Sequence, residues 1–144
     1  TNADTHGRII NEMIDKYVSK NNSKSAAFTS MGQLLYFSTA KFVDAIVGNS
    51  SSGIVEAPSF NKGTINIGDR QKGRIRAESV INCEPTKKSI EKAFKKMYSR
   101  DFQNSLKNIK NPYDSKGSVA LKIKNIIKTR DLDNIVKKKF YEIN

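Results

Sequence analysis

The chain has one cysteine, Cys83, and one histidine, His6. A single thiol excludes an internal disulfide framework and a multi-cysteine zinc site, and a single imidazole excludes a multi-histidine metal site. No apolar run approaches the ~20 residues that a membrane span requires. The sequence begins at Thr1, with no Met and no apolar leader segment. These absences give the expectation of a reducing, cytoplasmic home, a trimmed N-terminus and no membrane partner.

The 144 residues fit one ordinary domain, and 37% hydrophobic content is enough for a core. A net charge of +12 raises the question of a nucleic-acid partner. Twenty of the 26 cations are Lys and six are Arg. Nucleic-acid readers draw on Arg for bidentate contacts and stacking, so a solvated lysine-rich surface accounts for the charge without such a partner. The expectation is no nucleic acid.

No repeat or low-complexity linker divides the chain. Ile9, Ile10, Met13, Ile14 and Tyr17 recur at helical spacing and predict a helix over residues 5–20. Ala26, Ala27 and Phe28 form a short strand candidate. Leu34, Leu35, Phe37 and Phe42 indicate a second helix. Residues 43–47 predict a strand buried on both faces. The run Gly48-Asn49-Ser50-Ser51-Ser52-Gly53 then opens a helix to about Ala57, stopped by Pro58. Residues 64–68 and 79–83 predict two more strands. Helices are expected over 86–97 with Thr86 as N-cap, around Phe102 and Leu106, over 118–128, and in the tail at 131–140. Strands alternating with helices argue for an α/β fold with a Rossmann-like parallel sheet covered by helices on both faces. Ligands in such folds bind at the carboxyl ends of the strands, so the loops that follow strands carry the information.

Two loops stand out. In residues 48–53, small residues let a ligand approach the backbone, and a helix start favours an anion; Ser50 and Ser51 add hydroxyls. The same residues also read as a plain strand-to-helix turn with a serine cap. Glu56 stands about one turn along, able to meet ribose hydroxyls or to serve as a first-turn acid. In residues 69–74, Arg70 and Arg74 offer forked donors for a diphosphate, or pair with Asp69 or Glu78. Asn2, Asp4 and Thr5 read as caps, His6 as a surface residue and Cys83 as a small core residue. No Ser-His-Asp set, metal cluster or facing carboxylate pair can be assembled.

The stretch Val47-Gly48-Asn49-Ser50-Ser51-Ser52-Gly53-Ile54-Val55-Glu56-Ala57-Pro58, followed by Thr64-Ile65-Asn66-Ile67-Gly68-Asp69-Arg70-Gln71-Lys72-Gly73-Arg74, resembles the nucleotide-binding half of UDP-N-acetylglucosamine 2-epimerases. It looks most like the hydrolysing branch, which makes N-acetylmannosamine for sialic acid synthesis. Asn2-Ala3-Asp4-Thr5 and Asn111-Pro112-Tyr113 match as well, so the resemblance covers nearly the whole chain. It implies the C-terminal lobe of a glycosyltransferase-B-type fold, with a first strand missing before Asn2 and substrate held against another lobe. It implies UDP contacts at Asn2, Met31, Ser50, Ser51, Glu56 and Arg70. Ser50 and Ser51 would hold the diphosphate, Glu56 the ribose, and Met31 the uracil by its backbone. No cofactor and no metal are implied.

The family's catalytic acids and its histidine near the leaving diphosphate have no counterpart here, so no catalytic residue is expected in this chain and His6 does not take that role. Asn61-Lys62-Gly63 replaces a common Gly-x-Pro turn. The partners implied are a UDP-sugar and an N-terminal lobe of the same enzyme, with an oligomer possible. Alternatives are a non-hydrolysing 2-epimerase, a hydrolase of a UDP-diacetamido sugar and, from another class, a basic nucleic-acid-binding module.

Overall fold

A computed structural model of the chain describes residues 7–114, 117–131 and 133. The chain divides into two units, Thr1–Val43 and Asp44–Asn144.

The first unit holds two helices, α1 (Gly7–Lys20) and α2 (Gly32–Phe42). The apolar period of Ile9 to Tyr17 thus forms the helix that it predicts. The chain leaves α1 through Asn21, whose Nδ2 donates to the Tyr17 carbonyl at 2.9 Å and so satisfies a carbonyl left open by the helix end. The strand expected at Ala26-Ala27-Phe28 does not form. Lys24 and Ser25 both donate their N–H to Asn21 O, which curls the chain just ahead of it. Three apolar residues without a neighbouring strand have no ladder to join.

The second unit is built on a parallel sheet of three strands in the order β1 (Ala45–Gly48), β2 (Gly63–Ile67) and β3 (Val80–Cys83). Ala45 pairs with Gly63 and Gly48 with Asn66; on the other side Thr64 pairs with Val80 and Ile67 with Cys83. β2 is central and buried along most of its length. Its side chains alternate, so Ile65 and Thr64 face opposite layers.

On the Ile65 side lies the apolar core: Ile65, Ile81, Cys83, Ala93, Met97, Phe102 and Leu106. Helix α4 (Lys87–Met97) turns Ala93 and Met97 inward and its lysines outward. Thr86 caps it, as expected, with Oγ1 accepting the Ser89 N–H at 3.3 Å. Helix α5 (Arg100–Ser105), capped by Ser99, then delivers Phe102, and a 3-10 turn at Leu106–Asn108 delivers Leu106. Burying each large side chain contributes roughly 1.5–3 kcal/mol.

On the Thr64 side lies a one-turn helix, α3 (Ser52–Val55). Gly53 sits against Thr64, and Thr64 Oγ1 donates to Gly53 O at 2.6 Å. Helices therefore cover both faces of the sheet, the Rossmann-like arrangement expected. Two details differ. Val47 in β1 is exposed rather than buried. The helix expected to reach Ala57 breaks at Glu56, and a 3-10 turn occupies Ala57–Phe60 with Pro58 inside it. Proline lacks the N–H that a continuing α-helix needs but is tolerated in the first turn of a new one. Asn61, in the left-handed region at φ 54°, then sends the chain into β2.

The crossover from β1 to β2 carries α3, whereas residues 68–79, between β2 and β3, contain no helix. Parallel strands are usually joined through a helix, and long structureless loops in compact units are commonly functional. Helix α6 (Val119–Thr129), capped by Ser118, follows further on and buries no residue. The tail helix expected at 131–140 lies almost wholly outside the described residues. No helix among the described residues is long and apolar enough to cross a membrane.

Candidate functional site

Strand β1 ends on Gly48 at φ 148°, a region that side chains disfavour. The next loop explains the serines individually. Ser50 Oγ accepts the Ser52 N–H at 3.3 Å, closing a short turn two residues long. Ser51 occupies the N-cap position of α3, but its hydroxyl makes no cap bond. The cap expected of this serine run is therefore made by Ser50, and the Ser51 hydroxyl is left for another partner. One turn of helix sums few peptide dipoles, so anion binding here would draw on hydroxyls and local N–H groups more than on a macrodipole.

Glu56 is half-buried at the C-cap of α3. It does not lie in the first turn of the helix. A carboxylate gains nothing from the dipole at the C-terminal end of α3. Glu56 is also the N-cap residue of the 3-10 turn Ala57–Phe60, where its side chain makes no cap bond. Asn111 supports this corner: its Nδ2 donates to Val55 O at 2.8 Å and to Ser59 Oγ at 2.7 Å.

The second loop leaves β2 through Gly68, whose N–H donates to Cys83 O at 2.8 Å. Arg70 is exposed, and neither Asp69 nor Glu78 pairs with it among the described residues. Gln71 is the opposite, only 5% exposed. Its Nε2 donates to Asn49 O at 2.8 Å, joining this loop to the serine loop across a sequence gap of 22. Gln71 O in turn accepts from Arg76 Nη2 at 3.1 Å. Arg76 is half-buried, whereas Arg74, like Arg70, is exposed. Tyr113 Oη donates to Ile75 O at 3.0 Å, tying down the far side of the loop.

The result is a local site at the carboxyl ends of two adjacent parallel strands, where open α/β sheets bind ligands. Ser50 and Arg70 each stand one residue from a hydrogen-bonded pair, Asn49 and Gln71. Hydroxyls, a carboxylate and a guanidinium without an ion pair among the described residues together suit a phosphorylated sugar or nucleotide. An open hollow lined by Asp44, Asn61, Lys62, Gln103, Leu106 and Lys107 lies at the opposite, N-terminal ends of the strands and belongs to no such arrangement. Cys83 lies in the core, as expected; burial first, and the neighbouring Glu84 carboxylate second, push its thiol above the usual range. Among the described residues no group of three or more His, Cys, Asp or Glu could hold a metal ion.

The family model for UDP-N-acetylglucosamine 2-epimerase matches residues 1–128. The chain belongs to this family. Among its relatives, a GDP/UDP-N,N'-diacetylbacillosamine 2-epimerase (hydrolyzing) of Campylobacter jejuni is 43% identical over 142 residues, 99% of this chain and 36% of that protein. Polysialic acid biosynthesis protein P7 of Escherichia coli is 36% identical over 146 residues, with the same shares covered. A UDP-N-acetylglucosamine 2-epimerase of Neisseria meningitidis is 35% identical over 89 residues, 62% of this chain and 23% of that protein. The chain spans about a third of the length of the first two relatives.

Of the epimerase-family contacts expected from the sequence, Ser50, Ser51, Glu56 and Arg70 lie in the second unit, on the two loops just described. Met31 lies in the first unit, half-buried at the N-cap of α2 without a side-chain cap bond. Asn2 and His6 lie outside the described residues. Sequence reasoning missed Gln71, Arg76 and the role of Asn111. A glutamine in a charged loop carries no periodicity or spacing signal, and its burial exists only once both loops are in place. The pointers available were the place of Gln71 within the stretch that resembles the epimerases and the match of Asn111-Pro112-Tyr113 to the same pattern.

Proposed function

We propose that this chain is the UDP-binding, C-terminal lobe of a hydrolysing UDP-sugar 2-epimerase with a glycosyltransferase-B-type fold. The observation that carries the reading is the Gln71–Asn49 hydrogen bond, which holds the serine and arginine loops together at the carboxyl ends of β1 and β2. In this reading Ser50, Ser51 and Arg70 bind the diphosphate and Glu56 the ribose. Met31 meets the uracil through its backbone, and Asn2 matches an Asn that the family carries at its cleft rim. The acids and bases belong to another lobe of the same enzyme. There a base removes the C2 proton of the sugar and UDP leaves by elimination across C1–C2. Water addition then gives the free 2-epimeric sugar and UDP. The contribution of this lobe is to stabilise charge developing on the departing diphosphate by donors already in place.

The sugar in this reading is UDP-N-acetylglucosamine, giving N-acetylmannosamine for sialic acid or a related cell-surface polysaccharide, in the cytoplasm. The 43% identity to the diacetylbacillosamine enzyme favours a second reading, a UDP-diacetamido sugar. Proton NMR of the two-lobed enzyme in deuterated water, with each UDP-sugar in turn, tests both. Free 2-epimeric sugar carrying deuterium at C2, with stoichiometric UDP, is expected. A product still linked to UDP would point to a non-hydrolysing epimerase, and no turnover of either sugar would overturn the reading.

A further inference from the structure

Resting on that reading, we propose that Gln71, which nothing above makes a ligand, is a positioning residue for the diphosphate contacts. The peptide plane explains how. The Asn49 carbonyl shares a rigid trans plane with the Ser50 N–H, which points the opposite way. Fixing Asn49 O by the 2.8 Å bond from Gln71 Nε2 therefore aims the Ser50 N–H away from Gln71 and sets where the Ser50 and Ser51 hydroxyls begin. The carboxamide has one usable orientation, since turning it over would set Oε1 against the Asn49 carbonyl oxygen, two acceptors facing each other. Gln71 Oε1 has no hydrogen-bond partner among the described residues, so the bond to Asn49 is what orients the group.

The other end is also held. Gln71 O accepts from Arg76 Nη2, and Gln71 O also receives the Arg74 N–H at 3.4 Å. Arg70 is the residue immediately before this anchored one. A single buried side chain thus fixes the spacing between the serine donors and the arginine donor that the diphosphate would bridge. Glu56 is held separately, through Asn111 and Val55 O. Disturbing Gln71 therefore affects phosphate recognition and leaves nucleoside recognition in place.

The test uses the two-lobed enzyme and isothermal titration of UDP and of uridine. Gln71→Met keeps the length of the side chain and removes its donor; Arg76→Gln loosens the outer anchor without touching the buried amide. Far-UV circular dichroism confirms that each variant is folded. The expected result is UDP affinity weakened about tenfold by Gln71→Met and about threefold by Arg76→Gln, with uridine affinity changed less than twofold in both. Equal losses for UDP and uridine, or no loss for UDP in the folded variants, would overturn the positioning role while leaving the UDP-site reading intact. If the parent enzyme bound UDP no more tightly than uridine, the diphosphate site itself would fail, and Gln71's role with it. Should Gln71→Met not fold, the Arg76→Gln split between UDP and uridine decides alone.

Discussion

Gly53→Ala probes the contact that seats the serine loop on the sheet. On local grounds the change should help: alanine in place of glycine within a helix stabilises by roughly 0.5–1 kcal/mol. The packing argues the other way. A Cβ on Gly53 would lie 2.6 Å from Thr64 Cγ2 and 3.4 Å from Thr64 Oγ1. Thr64 is 2% exposed and its Oγ1 is committed to Gly53 O, so it has little freedom to retreat. Overpacking of this kind costs about 1–3 kcal/mol, and stretching the buried hydrogen bond costs about 1 more. The packing term wins, with a net loss of about 2 kcal/mol. Thr64→Ser removes the colliding methyl and keeps the hydroxyl; alone it costs about 1 kcal/mol for the lost buried group. In that background Gly53→Ala should cost less than about 1 kcal/mol. The coupling, about 1 kcal/mol or more, exceeds the ~0.5 kcal/mol scatter of independent sites. Urea unfolding of the four proteins, followed by circular dichroism, measures it. A Gly53→Ala that is neutral or stabilising, or that costs the same in both backgrounds, would refute the argument.

Other outcomes follow from the same geometry. Met97, fully buried among Ile65, Phe102 and Leu106, should cost about 2–5 kcal/mol as Met97→Ala in urea unfolding, because the surrounding side chains close the hole only partly. Thr86→Ala should cost about 1 kcal/mol in the same assay by freeing the Ser89 N–H. Cys83 has its thiol pKa raised in the folded chain, by burial and then by Glu84. Its contribution to stability is thus full below the ordinary thiol range and lost as pH rises through that range toward the folded value, because the unfolded chain gives up the proton first. A plot of unfolding free energy against pH should fall there for the parent and stay flatter for Cys83→Ala. Iodoacetamide should label the folded protein much more slowly than the unfolded one.

How far the structure could be read in advance depended on the range of the forces involved. Apolar spacing and local capping are short-range, so α1, α2 and α4, and the Thr86 cap, were legible residue by residue. The run Thr64 to Gly68 identified β2 because a doubly covered strand is apolar on one side and tightly packed on the other. Ala26 to Phe28 misled because strandhood needs a partner, which three residues do not specify. The break at Glu56 comes earlier than Pro58 alone predicts, because the proline sits within a fresh 3-10 turn rather than at the end of α3. The candidate site divides in the same way. Ser50, Ser51, Glu56 and Arg70 came from motif spacing and resemblance, whereas Gln71 and Arg76 act through a bond between residues far apart in sequence, which only the fold creates.

The central claim is that these loops bind a nucleoside diphosphate. Its most direct test is a calorimetric titration of UDP into the two-lobed enzyme and into Arg70→Ala and Glu56→Ala variants, beside a salt series with a single-stranded oligonucleotide. Saturable one-to-one UDP binding is expected, weakened about tenfold or more by each substitution, since hydrogen bonds to charged groups contribute about 1.5–3 kcal/mol. Variants that bind UDP as the parent does would contradict it. So would UDP binding that is absent while the oligonucleotide binds with an affinity falling steeply with salt.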